Sequence, residues 1–237
     1  MTPLSSHWPS DDDRPPPEPT FIRKVAEDLW EGLLPLVVWT VALWMLGLLA
    51  ITVGVASAPL GFIVATLTLA PGLAGMMVLT GNLARGGFAR LGAAWRGTIR
   101  LYGRSVALAS PLVLMLALIL VTANIVTAFP ERPELLIAWA FQISLGLTAL
   151  ILHLYLFPIL ALHGTPLKQT VGLAMMLVGK YAWQTLALLA VGAALLAAAL
   201  LLPVVWLLAP GVWCVVVTNA TWRMVRPLLP GTGEIDK

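Results

Sequence analysis

Six apolar runs follow one another between Leu33 and Trp222, at about 33–56, 60–84, 105–128, 135–157, 181–202 and 204–222. Each is close to the roughly 20 residues a helix needs to cross about 30 Å of hydrocarbon. The breaks between them are chemical. Pro59 and Gly61 separate the first pair, the run Phe129 to Glu134 (FPERPE) separates the third from the fourth, and Pro203 marks a tight turn between the fifth and sixth. The pattern predicts an all-α, polytopic membrane helical bundle. Upstream, Thr20 is placed as the N-cap of a short helix. In it Arg23 and Glu27, and Lys24 and Asp28, stand four residues apart as ion pairs.

Two further segments are amphipathic rather than uniformly apolar. At 100° per residue, Phe88, Leu91, Trp95, Ile99 and Tyr102 fall within an arc of about 80°, and Arg90, Arg96, Arg100 and Arg104 take the opposite side. This is the pattern of a basic helix lying on a membrane surface. A single helix over 86–128 would run roughly 64 Å, longer than the bilayer, so a bend near Gly103 is expected. Shifted by 76 residues, Leu167, Val171, Ala174, Met175 and Val178 repeat the positions of Leu91, Trp95, Thr98, Ile99 and Tyr102, and Gly179-Lys180 repeats Gly103-Arg104. Thr165 and Pro166 read as N-cap and N1 of this second surface helix. The two copies run in the same direction, as parallel repeats do.

Charge supplies an orientation. Only 11% of the 237 residues are charged and 59% are hydrophobic, with a mean hydropathy of +0.93. The eleven acids lie within 11–31, at 131 and 134, and at 234 and 236, so the six apolar runs contain none. With the N-terminus inside, thirteen of the fourteen Lys and Arg residues fall on the cytoplasmic side and only Arg132 outside, as the positive-inside rule requires. Both termini are therefore expected in the cytoplasm. Residues 1–19 and 227–237 form polar tails around one membrane domain, 20–226. Trp30, Trp95, Trp183 and Trp222 fall near the inner interface and Trp139 near the outer one. The formal charge of +3 points to anionic lipid headgroups rather than nucleic acid, because the bases flank apolar spans. The first span is read as uncleaved: its leader is acidic, its apolar run is too long for a signal peptide, and Pro59 would follow the cut.

Candidate chemistry is sparse. Catalysis needs a nucleophile with a base, paired carboxylates or a set of metal ligands, and His153 and His163 have no acid or cysteine beside them to complete one. No enzyme activity, metal or cofactor is expected. Cys214 lies alone inside a span. His153 shares a stripe with Gln142, Gly146 and Ala149. Hydrogen bonding across a packed interface is the expected role, with an intramembrane functional site as the alternative. Gly47, Ala50, Gly54 and Ser57 form a small-residue packing stripe. Pro71-Gly72 is read as a kink, or as a break that opens backbone toward a cavity. Asn82, Asn124 and Asn219 lie near span ends, where water or backbone satisfies them. Arg90, Arg96, Arg100 and Arg104, with Trp95 and Tyr102, are read as a lipid anchor, or as a docking element for a partner in a membrane transport complex.

Three stretches resemble the YesL-like family of bacterial integral membrane proteins. LTLAPGLAGMMVLTGNLARGG (67–87) is similar to its pattern of a Pro, small residues, an apolar helix and a basic-Gly pair, with Pro71, Ala74, Gly75, Arg85 and Gly86 in those places. The basic segment 88–104 follows, and YLFPILALHGTPLKQTVGLAMMLV (155–178) resembles the family's aromatic-Phe-Pro segment. Gly87 stands where the family has an acid. The resemblance implies a protein of the bacterial cytoplasmic membrane associated with carbohydrate uptake, and it brings no catalytic residues. An accessory membrane protein is the leading expectation, and a transporter or permease subunit the alternative.

Overall fold

The computed structural model describes residues 20–228. The chain forms α1 (Phe21–Glu31), α2 (Leu33–Ala56), α3 (Ala58–Ala84), α4 (Leu91–Ala128), α5 (Pro133–His163), α6 (Leu167–Lys180), α7 (Ala182–Leu201) and α8 (Pro203–Val225), and then a 3-10 turn, Arg226–Leu228. There are no strands among the described residues. Six helices, α2, α3, α4, α5, α7 and α8, are long and apolar enough to cross a membrane. The chain is an integral, multi-pass membrane protein. The expected tails, 1–19 and all but the first residues of 227–237, lie outside the described residues.

α3 is the central element and packs against α2, α4, α5 and α8. The core is densest in the halves of α3, α5 and α8 near one end of the bundle, where Met76, Leu79, Leu83, Tyr155, Ile159, Leu160, Val215 and Val217 are buried. The outer faces of α2, α4 and α7 remain apolar and exposed, with Met45, Leu48, Leu114 and Leu186 among them. Bilayer hydrocarbon is the medium in which such surfaces are stable.

Hydrogen bonds tie the helices together where proline has disturbed a backbone ladder. Pro210 cannot donate to the carbonyl of Trp206, four residues back; Trp44 Nε1 donates to that oxygen instead, at 3.1 Å. Pro111 likewise leaves the Ala107 carbonyl without its amide, and Ser110 Oγ donates to it at 3.2 Å. One residue on, His153 Nε2 lies 2.7 Å from the Leu108 oxygen. Proline inside a membrane helix is tolerated when neighbours restore bonds in this way. Side chains also pair between helices: Thr80 with Thr218 at 2.9 Å and Tyr155 with Thr185 at 2.8 Å.

Several expectations change on folding. The basic segment does not form a separate surface helix. α4 continues unbroken through Gly103 for 38 residues, about 57 Å at 1.5 Å per residue. Its second half is apolar, and its first half bears the arginines. Phe88 and Arg90 precede the helix. α6 does stand apart, separated from α7 only by Tyr181. At the shift of 76, buried Ala94 and Leu101 correspond to buried Thr170 and Leu177, as a repeat would produce.

Pro71 and Gly72 are not a break either, since α3 runs through both and both are buried. Trp39 Nε1 donates to the Gly72 carbonyl at 2.9 Å. Gly61 lies inside α3, and the break is at Ser57. A Cβ on Gly61 would come within 2.5 Å of the Gly54 Cα, so these two glycines mark a close crossing of α2 and α3. Gly47 of the same stripe faces open space. Thr165 does not cap α6. The N-cap is Pro166, and Thr165 Oγ1 bonds Thr170 Oγ1 at 2.8 Å. Thr20 takes the N-cap position of α1 without a side-chain bond.

Both expected ion pairs of α1 form, Arg23 with Glu27 at 2.8 Å and Lys24 with Asp28 at 2.6 Å. They are unlike in kind. The first is exposed, whereas Asp28 is only 1% accessible. Asn219 Nδ2 of α8 donates to Asp28 Oδ2 at 2.9 Å. Asn219 is thus satisfied by a buried carboxylate and by the Val215 carbonyl, a partner set its place in the sequence does not suggest.

Candidate functional site

The arginines of α4 come together with residues of α3 and α5 in a cleft at one end of the bundle. The approach begins with small side chains. Ala94, Gly97, Leu101 and Ser105 form the buried face of α4. A Cβ on Gly75 of α3 would fall 2.9 Å from the Ala94 oxygen and 2.7 Å from the Trp39 ring, so α3 and α4 touch nearly backbone to backbone. This places Arg96, Arg100 and Arg104 on one flank of α4. Leu91, Trp95, Ile99 and Tyr102 lie on the other and stay exposed, as a lipid-facing stripe must.

The end of α3 is set by its sequence. Gly86 adopts φ +77°, the left-handed conformation that glycine takes at no steric cost. Its N–H bonds the Leu83 carbonyl, and the Gly87 N–H bonds that of Asn82, both at 2.8 Å. This is the Schellman arrangement that closes a helix C-terminus. It turns the chain sharply after Arg85. The Arg85 Nη2 donates to the Leu162 carbonyl at the end of α5, and its guanidinium carbon lies 5.2 Å from the centre of the Trp222 ring. Burial lowers its pKa from the ordinary value, although an arginine remains a cation. Arg104 Nη1 donates to the Gly164 carbonyl at 2.7 Å, so the turn after α5 is held from both sides.

Between these elements is a cavity of about 630 Å³. Its polar lining is Asn82, Arg85, Arg96, Arg100 and His163, and Val78 and Leu162 form apolar walls. A second hollow of about 400 Å³ shares Asn82, Arg85 and Arg96 with it and adds Arg90. The His163 ring stacks on Trp222 with centroids 6.4 Å apart, and its Nε2 is buried without a hydrogen-bond partner. Arg96 and Arg100 have no ion-pair partner among the described residues. The arrangement is a basic recess suited to an anion.

Arg90, Arg96 and Arg100 therefore line the protein's own cleft, and Arg104 braces its edge. Sequence reading placed these side chains toward lipid or a partner and did not include Arg85, Asn82 or His163. Arg85 carried one signal, a basic residue before Gly-Gly at a helix end; its convergence with His163 requires the packing of α3 on α5.

The intramembrane candidates lie elsewhere. The two ring nitrogens of His153 sit 2.8 Å from the Ala149 carbonyl and 2.7 Å from that of Leu108, so the ring bridges α5 to α4. Gln142 Oε1 and Trp139 Nε1, one turn apart on α5, are buried without partners. A cavity of about 940 Å³ between α3 and α4 is lined almost wholly by apolar groups such as Phe62, Ile63 and Leu114, and neither Gln142 nor His153 borders it. Replacing His153 with Phe removes the bond to Leu108. It is expected to lower stability by about 0.5–1.5 kcal/mol, the net worth of one hydrogen bond, read from equilibrium unfolding in mixed micelles. Comparison with protein-family models, curated proteins and solved structures finds no match to the chain.

Proposed function

We propose that this chain is a non-catalytic accessory protein of the bacterial cytoplasmic membrane, with both termini inside. The supporting observation is the segregation of charge along the bundle. Every described Lys and Arg except Arg132 falls at the end where α1, α6 and the arginine-bearing part of α4 lie, and such an excess of bases orients a membrane protein with that end inside. The spans carry no carboxylate between residues 135 and 233 or between 32 and 130, so an intramembrane carboxylate pair is absent, and both ring nitrogens of His153 lie against backbone carbonyls. The resemblance to the YesL-like family supports a place beside a carbohydrate-uptake system, as a subunit or partner. A transporter would need polar groups lining a path near the midplane, and the apolar character of the α3–α4 cavity weighs against that alternative.

Orientation is tested by thiol labelling. The sole cysteine, Cys214, is buried and contributes little background. A cysteine placed by Glu131→Cys should react with an impermeant reagent on intact cells, and one placed by Arg96→Cys should react only after permeabilisation. The opposite pattern reverses the topology.

A further inference from the structure

The cleft at the basic end has a property that membrane anchoring does not require: it is concave. Here Arg96 and Arg100, one helical turn apart, border the same recess as Arg85, Asn82 and His163. No carboxylate neutralises Arg96 or Arg100 among the described residues, and the buried His163 Nε2 has no partner. Arg85, Arg96 and Arg100 gather like charge at one cleft, and an anion placed among them would relieve their repulsion.

We propose that this cleft binds a phosphate group, held by the guanidinium forks of Arg96 and Arg100 with Asn82 and His163 completing its polar wall. Guanidinium matches the spacing of phosphate oxygens and bonds them in pairs, which favours phosphate over a simple halide. Arg85 has a different part. It is committed to the Leu162 carbonyl and to Trp222, so it holds the wall in place and adds positive potential. Val78, Ala161 and Leu162 supply an apolar side to the cleft, which fits the organic remainder of a phosphate ester. The phosphate is carried either by an anionic lipid headgroup or by a soluble phosphate at the same face. The inference is independent of the accessory role and of any link to carbohydrate.

The test uses the purified full chain in neutral detergent, with lipid retention read by native mass spectrometry. Phosphatidylglycerol should be retained and phosphatidylcholine should not. R96Q/R100Q should weaken retention at least about tenfold, because it removes charge-assisted bonds. R132Q, at the other end of the bundle, should leave it unchanged. R96K/R100K keeps the charge, loses the fork, and should fall between wild type and the Gln variant; it also serves if the Gln variant does not fold. Millimolar inorganic phosphate that displaces the lipid identifies a site open to soluble phosphates. Failure to displace it, with retention still sensitive to R96Q/R100Q, identifies a headgroup site. Equal lipid retention and equal phosphate binding by wild type and R96Q/R100Q overturn the proposal, as does an equal loss in R132Q.

Discussion

Lys24→Met is expected to destabilise the folded protein by about 3 kcal/mol, the lower end of what breaking a buried ion pair costs. The reason lies with Asp28, not with Lys24. The carboxylate is 1% accessible and the lysine side chain 23%. Removing the cation leaves a buried anion with Asn219 as its remaining side-chain donor. Desolvation of that anion is then poorly compensated, and part of the cost is relieved because water reaches the Lys24 position. Asn219→Leu removes the other partner and should cost about 1.5–3 kcal/mol, the range for a hydrogen bond to a charged group. The double variant Lys24→Met with Asp28→Leu removes both charges and should recover most of the loss, since an apolar replacement of a buried pair is often neutral. Glu27→Gln breaks the exposed pair with Arg23 and should change stability by under about 1 kcal/mol. Equilibrium unfolding in mixed micelles reads all four. A Lys24→Met protein as stable as wild type would mean that α1 does not dock Asp28 against α8.

Gly75→Ala is expected to cost about 2–3 kcal/mol through overpacking. The added methyl would meet the Ala94 carbonyl at 2.9 Å and the Trp39 ring at 2.7 Å. Neither can retreat easily: one is helix backbone, and the other is fixed by the bond from Trp39 Nε1 to the Gly72 carbonyl. Separating α3 from α4 also widens the cleft, so Gly75→Ala should weaken any ligand held between Arg96, Arg100 and His163. Gly92 and Gly103 provide the contrast. Each lies in α4 with nothing within 4 Å of an added Cβ. Alanine there should stabilise by up to about 1 kcal/mol, because helix propensity then acts without a steric penalty. Gly103→Ala also probes the continuity of α4: a bend at that position would make the substitution unfavourable.

The two sets of variants separate what periodicity reveals from what it hides. The number of spans and the ion pairs of α1 follow from the order of apolar and polar residues, because each depends on helix geometry over a few turns. The course of α4 does not. Bilayer thickness argues for a bend at Gly103, yet α3 packs along the first half of α4 through Gly75, Ala94 and Gly97, and the helix continues through Gly103. Gly61 looked like a breaker beside Pro59, and only its contact with Gly54 shows it to be a crossing point. Pro71 looked like an interruption, and Pro111 also lies inside a helix. Trp39, Ser110 and His153 meet carbonyls beside Pro71 and four and three residues before Pro111, and the helices continue through both prolines.

By itself, the sequence determined that this chain spans a membrane six times and which end of the bundle is basic. These depend on transfer of side chains between water and hydrocarbon, a property each segment carries with it. Tertiary structure alone decided that Arg96 and Arg100 line one cleft with Asn82 and His163, that Arg85 is secured to the end of α5, and that Asp28 is buried beside Asn219. Those groups lie between 14 and 191 residues apart in the chain. They meet because small residues let α3, α4 and α5 approach closely and because α8 returns to the end where α1 begins.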